Sequence, residues 1–253
     1  MIDCHAHLCF REFDVDREAV VEACRQAGMA AVIASSAQLE EGKCVLELAK
    51  RHKGFVFASL GHHPVDAGDT PPQESERLIR ENASSIVAIG EVGMDFHHEK
   101  DPGKRAGQGR VFEGFVELAK ELKKPIVIHS WDAEKECFEA VKGKGLVCVF
   151  HCYTGPVELA EEIVKEPGFY ISISTNIVFS KRLRKIAKKL PLERMVLETD
   201  SPFLDPDRER KRNTPPNIRL SAGKIAAEKG VPVDEGLRAT TENARKVFGL
   251  RKI

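Results

Sequence analysis

No stretch of this sequence approaches the roughly 18 consecutive apolar residues that a membrane-spanning helix requires. The opening Met1-Ile2 is not a basic segment leading into a long apolar one, as an export signal would be. Net charge is also missing, since 39 Lys and Arg residues balance 39 Asp and Glu. No overall field therefore draws the chain to nucleic acid or to an anionic membrane, and any contact with a polyanion has to be local. The seven cysteines (Cys4, Cys9, Cys24, Cys44, Cys137, Cys148 and Cys152) are odd in number and contain no C-x-x-C pair. That pattern fits neither a disulfide framework nor a zinc knuckle, so they read as reduced thiols. The expectation is a cytoplasmic protein with no membrane contact. There is also no long linker, internal repeat or low-complexity tract; Asp205 to Asn217, polar and Pro-containing, reads as a surface loop.

What is present is alternation. Eight short apolar, β-branched runs recur: Met1-Asp3, Ala31-Ser35, Phe55-Gly61, Ile86-Glu91, Pro125-His129, Leu146-His151, Phe169-Ser174 and Met195-Asp200. Between them the apolar residues follow helical spacing, as in Ala19, Val20, Ala23, Cys24 and Ala27, or Phe112, Phe115, Val116, Ala119 and Leu122. Thr70-Pro71-Pro72-Gln73 offers an N-cap with prolines at a helix start, and Thr154-Gly155-Pro156 can open another helix. Runs apolar on both faces, such as Ile126-Val127-Ile128, suit parallel strands covered by helices. Eight such units in 253 residues, 42% hydrophobic, predict an α/β fold of the (β/α)8 TIM-barrel type forming one domain over residues 1–253. An open dinucleotide-binding sheet is less suitable, because no G-x-G-x-x-G follows the first run.

In such a barrel the chemistry gathers at the carboxyl ends of the strands. His5 and His7 end the first run, Glu91 the fourth, His129 the fifth, His151 the sixth and Asp200 the eighth. Strand side chains alternate, so His5 and His7 are expected to share a face with Asp3 while Cys4 points away. Each residue alone has an ordinary reading: a strand-end Glu can pair with a Lys, and a lone core histidine is usually just hydrogen-bonded. Together they make a metal-binding rim. Glu91 has two oxygens and stands among glycines in Gly90-Glu91-Val92-Gly93-Met94-Asp95, so it can bridge two cations.

The motifs Asp3-Cys4-His5-Ala6-His7, Gly61-His62-His63-Pro64, Gly90 to Phe96, Ile128-His129-Ser130, His151 to Gly155 and Glu198 to Pro202 follow in order. In this they resemble the TatD family of metal-dependent deoxyribonucleases, from the first strand to Asn243-Ala244. The resemblance implies an amidohydrolase-type barrel with two divalent ions (Zn, Mn, Co, Ni or Mg) and DNA as substrate, cleaved as an exonuclease acts on single-stranded DNA. It implies that His5, His7, Glu91 and Asp200 hold one ion, and Glu91, His129 and His151 the other. Asp200 would orient the nucleophilic water and take its proton. His63 is expected near the substrate phosphate, a role shared in plausibility with that of a structural loop histidine, and His62 is the weaker of the pair. Trp131 stands where the family often has Arg, which either offers a base a stacking face or packs under a loop. Phe96 and Tyr153-Thr154 are smaller departures.

Two basic stretches remain. Lys181 to Leu190 places Leu183, Ile186, Ala187 and Leu190 at helical spacing, leaving its cations on a solvated face. Arg208, Arg210, Lys211 and Arg212 follow Asp200 closely and are candidates for gripping a phosphate backbone, Arg208, Arg210 and Arg212 being the named substrate contacts. The expected assembly is a monomer or weak homo-oligomer. Two rival functions stay open: an esterase, amidase or small-phosphate hydrolase on the same metal rim, and a nucleic-acid-binding barrel without turnover.

Overall fold

Strands and helices alternate from one end of the chain to the other. In order they are β1 (Ile2–Ala6), α1 (Arg17–Gln26), β2 (Ala31–Ser35), α2 (Leu39–Arg51), β3 (Val56–His62), α3 (Pro72–Glu81), β4 (Ile86–Gly93), α4 (Pro102–Leu122), β5 (Ile126–His129), α5 (Glu134–Val141), β6 (Cys148–Phe150), α6 (Val157–Ile163), β7 (Phe169–Ile173), α7 (Lys181–Lys189), β8 (Met195–Leu197), α8 (Ile218–Lys229) and α9 (Val233–Phe248). The structure, a computed structural model, describes residues 1–65, 70–207 and 212–250. All eight strands are parallel and hydrogen-bonded in sequence order. A parallel bridge between Ala6 and Ser201, with His7 N–H donating to the Ser201 carbonyl at 2.7 Å and Asp200 N–H to the His5 carbonyl at 3.0 Å, brings the last strand back to the first. This is the (β/α)8 barrel that the alternation predicts.

Two apolar layers hold it together. Val32, Ala34, Ala58 and Ile128 face outward and pack with helix residues such as Val20, Val21, Phe112, Phe115 and Ile186. Inside, Ile2, Cys4, Ala31, Ile33, Ala88, Val127, Val149, Tyr170 and Val196 form a second cluster, joined by Ala244, Val247 and Phe248 of α9. The last helix thus plugs the barrel at its amino end, and the carboxyl end is left for polar groups. The same period places those groups: two residues beyond Val127 stands His129, two beyond Val149 stands His151, and beyond Val196 come Glu198 and then Asp200.

Three details differ from the sequence expectation. First, a register shift between Asp3 and Ala6 on β1 puts Cys4 in the interior cluster and turns Asp3 outward, where its carboxylate accepts from Thr199 N–H (3.1 Å) and Thr199 Oγ1 (2.6 Å). Strict alternation fails here because a bulge adds one residue. Second, Cys9 and Cys44, 35 residues apart, are disulfide-bonded across a Cα–Cα distance of 6.0 Å, so not all seven cysteines are thiols. Their spacing carries no motif, and only the fold brings them together. Third, α3 is capped by Pro71 with Pro72 as its first residue, and Thr70 makes no cap. Two other helices have side-chain caps at their first turns: Asp101 Oδ1 accepts from Lys104 N–H at 2.8 Å and Ser180 Oγ from Leu183 N–H at 3.1 Å. The helix over Lys181–Lys189 buries Leu183, Ile186 and Ala187 and turns its cations outward, as its spacing predicts. No helix among the described residues is long and apolar enough to cross a membrane.

Glycine 93 is where backbone packing is tightest: a Cβ there would lie 1.9 Å from the His129 carbonyl oxygen, with the residue at φ 153°. Gly114, by contrast, sits on the exposed side of α4 with nothing near its missing Cβ. Replacing Gly93 by Ala is expected to destabilise by about 1–3 kcal/mol or more. Replacing Gly114 by Ala is expected to stabilise by about 0.5–1 kcal/mol. Urea unfolding midpoints that shift in opposite directions would bear this out, and a Gly93→Ala midpoint at the wild-type value would contradict it.

Candidate metal centre

The carboxyl ends of β1, β4, β5, β6 and β8 converge on one buried carboxylate. Glu91 is 2% exposed and its two oxygens face different partners. Oε1 lies 3.5 Å from His5 Nε2 and 3.2 Å from His7 Nε2. Oε2 lies 2.8 Å from His151 Nε2 and 3.4 Å from His129 Nδ1. Asp200 completes the first group, its Oδ1 being 3.7 Å from His5 Nε2 and 3.3 Å from His7 Nε2, which are themselves 3.2 Å apart. His63 joins the second, its Nε2 being 3.3 Å from His129 Nδ1, which is also 3.3 Å from His151 Nε2. The six residues predicted as ligands are therefore brought together, and His63 with them.

His62 is not part of the centre: it bonds Ser75 at 3.0 Å and stacks on Phe115, on the helix side of β3.

Sequence reasoning passed over the groups that aim these ligands. Asp95, fully buried, meets His129 Nε2 at 3.0 Å, the ring nitrogen opposite the one that faces Glu91. Glu198, also fully buried, lies behind His151 with Oε1 3.7 Å from its Nδ1 and accepts from Cys152 N–H. Ser35 Oγ meets His5 Nδ1 at 3.2 Å. A carboxylate or hydroxyl behind an imidazole fixes its orientation and raises its basicity as a ligand. Although His63, Asp95 and His129 also form a tight donor set, the far-nitrogen contact makes Asp95 an orienting partner of His129. The signal for Glu198 was in the sequence, two residues before Asp200 on the same strand face. That for Asp95 required the fold.

The electrostatics fit a cation site. Burial alone would raise the Glu91 carboxyl, but the imidazoles of His151, His5 and His63 hold it well below the usual carboxylate range. Burial likewise opposes charge on His7, yet the Asp200 and Glu91 carboxylates push it up to about 10. His129 and His151 are raised against the effect of burial, the first mainly by Asp95 and Glu91, the second by Glu91 and Glu198. Burial pushes His63 down to about 3 and also lowers His5. Asp200 Oδ1 is buried and receives no hydrogen bond, which is costly for an anionic oxygen unless a cation meets it. The spacing agrees: two ligands of a tetrahedral zinc ion, each about 2.0–2.1 Å from it, lie roughly 3.3 Å apart. The residues present therefore fit one cation between His5, His7, Glu91 and Asp200, and another between Glu91, His129 and His151.

Above the centre is a cavity of about 440 Å³ whose walls include Phe10, Val65, His98, Trp131, Phe203 and Leu204. Trp131 is 41% exposed and stacks face to face on His97 at 4.1 Å, so it does not pack under a loop. Phe203, 46% exposed, meets Phe10 edge to face at 5.6 Å, and Phe10 leans on His7. Nothing in the sequence singled out Phe10 or Phe203. Arg212 is committed elsewhere: it holds both Asp16 oxygens at 2.8 and 2.6 Å and lies over the Phe13 ring, which ties Arg212 itself to the segment after β1 and takes it off the list of free phosphate contacts. Arg208, Arg210 and Lys211 lie outside the described residues.

The chain is similar to several known proteins. The profile of the family described as TatD related DNase matches residues 2–249. The uncharacterized metal-dependent hydrolase MJ1582 of Methanocaldococcus jannaschii is 39% identical over 252 residues, covering 99% of this chain and 97% of its own. The human deoxyribonuclease TATDN3 is 34% identical over 262 residues, covering 98% and 94%. The crystal structure of the TatD homologue YJJV from Escherichia coli superposes with a TM-score of 0.90 at 26% identity, over 98% of each chain.

Cations and protons compete for the same imidazoles. Because His7, His129 and His151 hold protons more tightly than ordinary histidines, a bound cation must displace them. Zinc or manganese affinity measured by titration calorimetry is expected to rise with pH through the neutral range and to flatten near pH 10, with proton release on binding. Affinity that does not vary between pH 6 and 9 would contradict this. Asp95→Asn, which weakens the partner of His129, is expected to lower affinity about 10–100-fold.

Proposed function

Since the chain belongs to the TatD related DNase family, we propose that this metal-dependent hydrolase cleaves phosphodiester bonds of DNA at the Glu91 centre, removing nucleotides from the end of a single strand. The observation that carries the reading is that both Glu91 oxygens open onto complete donor sets at the floor of one aromatic-walled cavity. Divalent cations, which His5, His7, Glu91 and Asp200 on one side and Glu91, His129 and His151 on the other would hold, would supply Lewis-acid polarisation of the phosphate oxygens and lower the pKa of water towards about 7.

The chain's own groups account for the rest. Asp200 stands at the cavity wall, where its carboxylate is able to orient the attacking water and take its proton. His63 accepts the Val65 N–H on Nδ1 at 3.2 Å, and burial keeps the ring neutral. Its proton therefore sits on Nε2, which makes it a donor to a phosphate oxygen rather than a further ligand. His129 is held by Asp95 on the ring nitrogen away from Glu91, so this ligand does not reorganise as charge develops on phosphorus.

The walls favour unpaired bases. Trp131, braced by His97, and Phe203, braced by Phe10, present rings that bases in a duplex, already stacked on each other, cannot reach. Base–aromatic stacking contributes about 1–3 kcal/mol per base.

End-labelled single- and double-stranded DNA, tested beside a panel of small esters, amides and phosphomonoesters, decides the substrate. Chelation is expected to abolish DNA cleavage and added Mn or Zn to restore it, with single strands preferred. Turnover confined to the small esters or amides would overturn the reading. Trp131→Ala is expected to weaken single-strand binding by about 5–150-fold, equivalent to the stacking of one base, with metal content unchanged; binding at the wild-type level would remove Trp131 from the substrate contacts.

A further inference from the structure

Hydrolysis of a phosphodiester needs a proton for the departing sugar oxygen as well as a nucleophile for phosphorus. On the near side of the centre Asp200 serves the water; no group described so far serves the leaving oxygen. Asp95 points to one. Its carboxylate is fully buried and bears two imidazoles: Oδ2 meets His129 Nε2 at 3.0 Å and also His98 Nδ1 at 2.9 Å. The first of these rings belongs to the donor set. The second is 53% exposed by its side chain and lines the cavity.

The placement of His98 is built rather than incidental. Asp95 Oδ1 accepts the His98 backbone N–H at 2.7 Å, so one carboxylate fixes both backbone and ring. The loop that carries them is braced from three sides. Gln108 Oε1 accepts the Asp95 N–H at 2.9 Å, Arg105 donates to the carbonyls of Glu99 and Phe96 at 2.8 and 2.9 Å, and Phe96 N–H donates to the Trp131 carbonyl at 2.9 Å. With Nδ1 turned to Asp95, Nε2 is on the opposite side of the ring. A buried carboxylate holding one imidazole nitrogen so that the other meets substrate is the orienting device of acid–base histidines. The neighbouring His97 is differently engaged: its ring is stacked on Trp131 and its Nδ1 meets Asp132 Oδ2 at 3.1 Å.

Resting on the phosphodiesterase reading above, we propose that His98, held by Asp95, is the general acid that protonates the leaving oxygen. As water oxygen bonds to phosphorus, the bond from phosphorus to the sugar oxygen breaks. The electron pair stays on that oxygen, and the His98 Nε2 proton passes to it, releasing an alcohol. The water's own proton goes to Asp200 and then to solvent. Being half exposed, His98 regains a proton from solvent before the next turnover. Two-nitrogen sharing of Asp95 also ties this acid to the donor set through His129, so leaving group and cations are positioned by the same carboxylate.

The test varies the leaving group. His98→Gln and His98→Ala are assayed, with bound metal quantified, on single-stranded DNA and on thymidine 5′-(p-nitrophenyl) phosphate, whose weakly basic nitrophenolate departs without a proton. A lost general acid typically lowers kcat by about 10²–10⁴-fold. That loss is expected on DNA, with nitrophenyl ester turnover within about threefold of wild type and metal content unchanged. Equal losses on both substrates, loss of metal, or unchanged DNA cleavage would each overturn the assignment of His98 while leaving the phosphodiesterase reading in place. A wild-type enzyme that cleaves neither substrate with metal bound would overturn both.

Discussion

A carboxylate taken out of water must be met by positive charge, and Glu91 is met on both oxygens. Isolated burial of such an ion would be prohibitive, so the surrounding fold is organised around satisfying it. Three strands deliver imidazoles to it: His5 and His7 from the end of β1, His129 from β5 and His151 just past β6, while Asp200, past β8, joins them through His7. The close approach of β3, β4 and β5 that lets Glu91 reach the axis depends on glycines at 61, 90 and 93, where a Cβ would collide with backbone or with Val127. Core packing and site chemistry are thus a single problem at this level of the barrel. On β5, β6 and β8 the apolar interior gives way within two residues to His129, His151 and Glu198.

The donors are held by a further ring of buried polar groups, and that ring is asymmetric. His5 leans on a hydroxyl, that of Ser35, whereas His129 and His151 lean on carboxylates, Asp95 and Glu198. Carboxylate support makes an imidazole the stronger base and the stronger ligand. The half of the centre on β5 and β6 is also the half nearest Trp131 and His98. On the other half, Phe10 and Phe203 lie against His7. The two sides of the cavity thus differ in chemistry.

Periodicity made the barrel legible, because parallel strands buried on both faces and amphipathic helices leave unmistakable runs in the sequence. The ligand set was legible for the same reason: residues ending eight such runs must meet at one rim. What escaped were the places where period two breaks or where distant loops touch. The bulge in β1 exchanged the faces of Asp3 and Cys4. The pairing of Cys9 with Cys44 joins a loop to a helix that nothing in their spacing connects. Asp95 stands just past β4, and its role follows only from where β5 places His129. Arg212 read as a free cation until Asp16, far away in sequence, proved to be its partner.

The central claim is that Glu91 bridges two cations, one oxygen to each. Anomalous diffraction from crystals of the protein grown with manganese or zinc tests it most directly. The account predicts two peaks about 3.5–4 Å apart, one bounded by His5, His7 and Asp200, the other by His129 and His151, with a Glu91 oxygen at each. A single peak, or two peaks that Glu91 does not join, would contradict it.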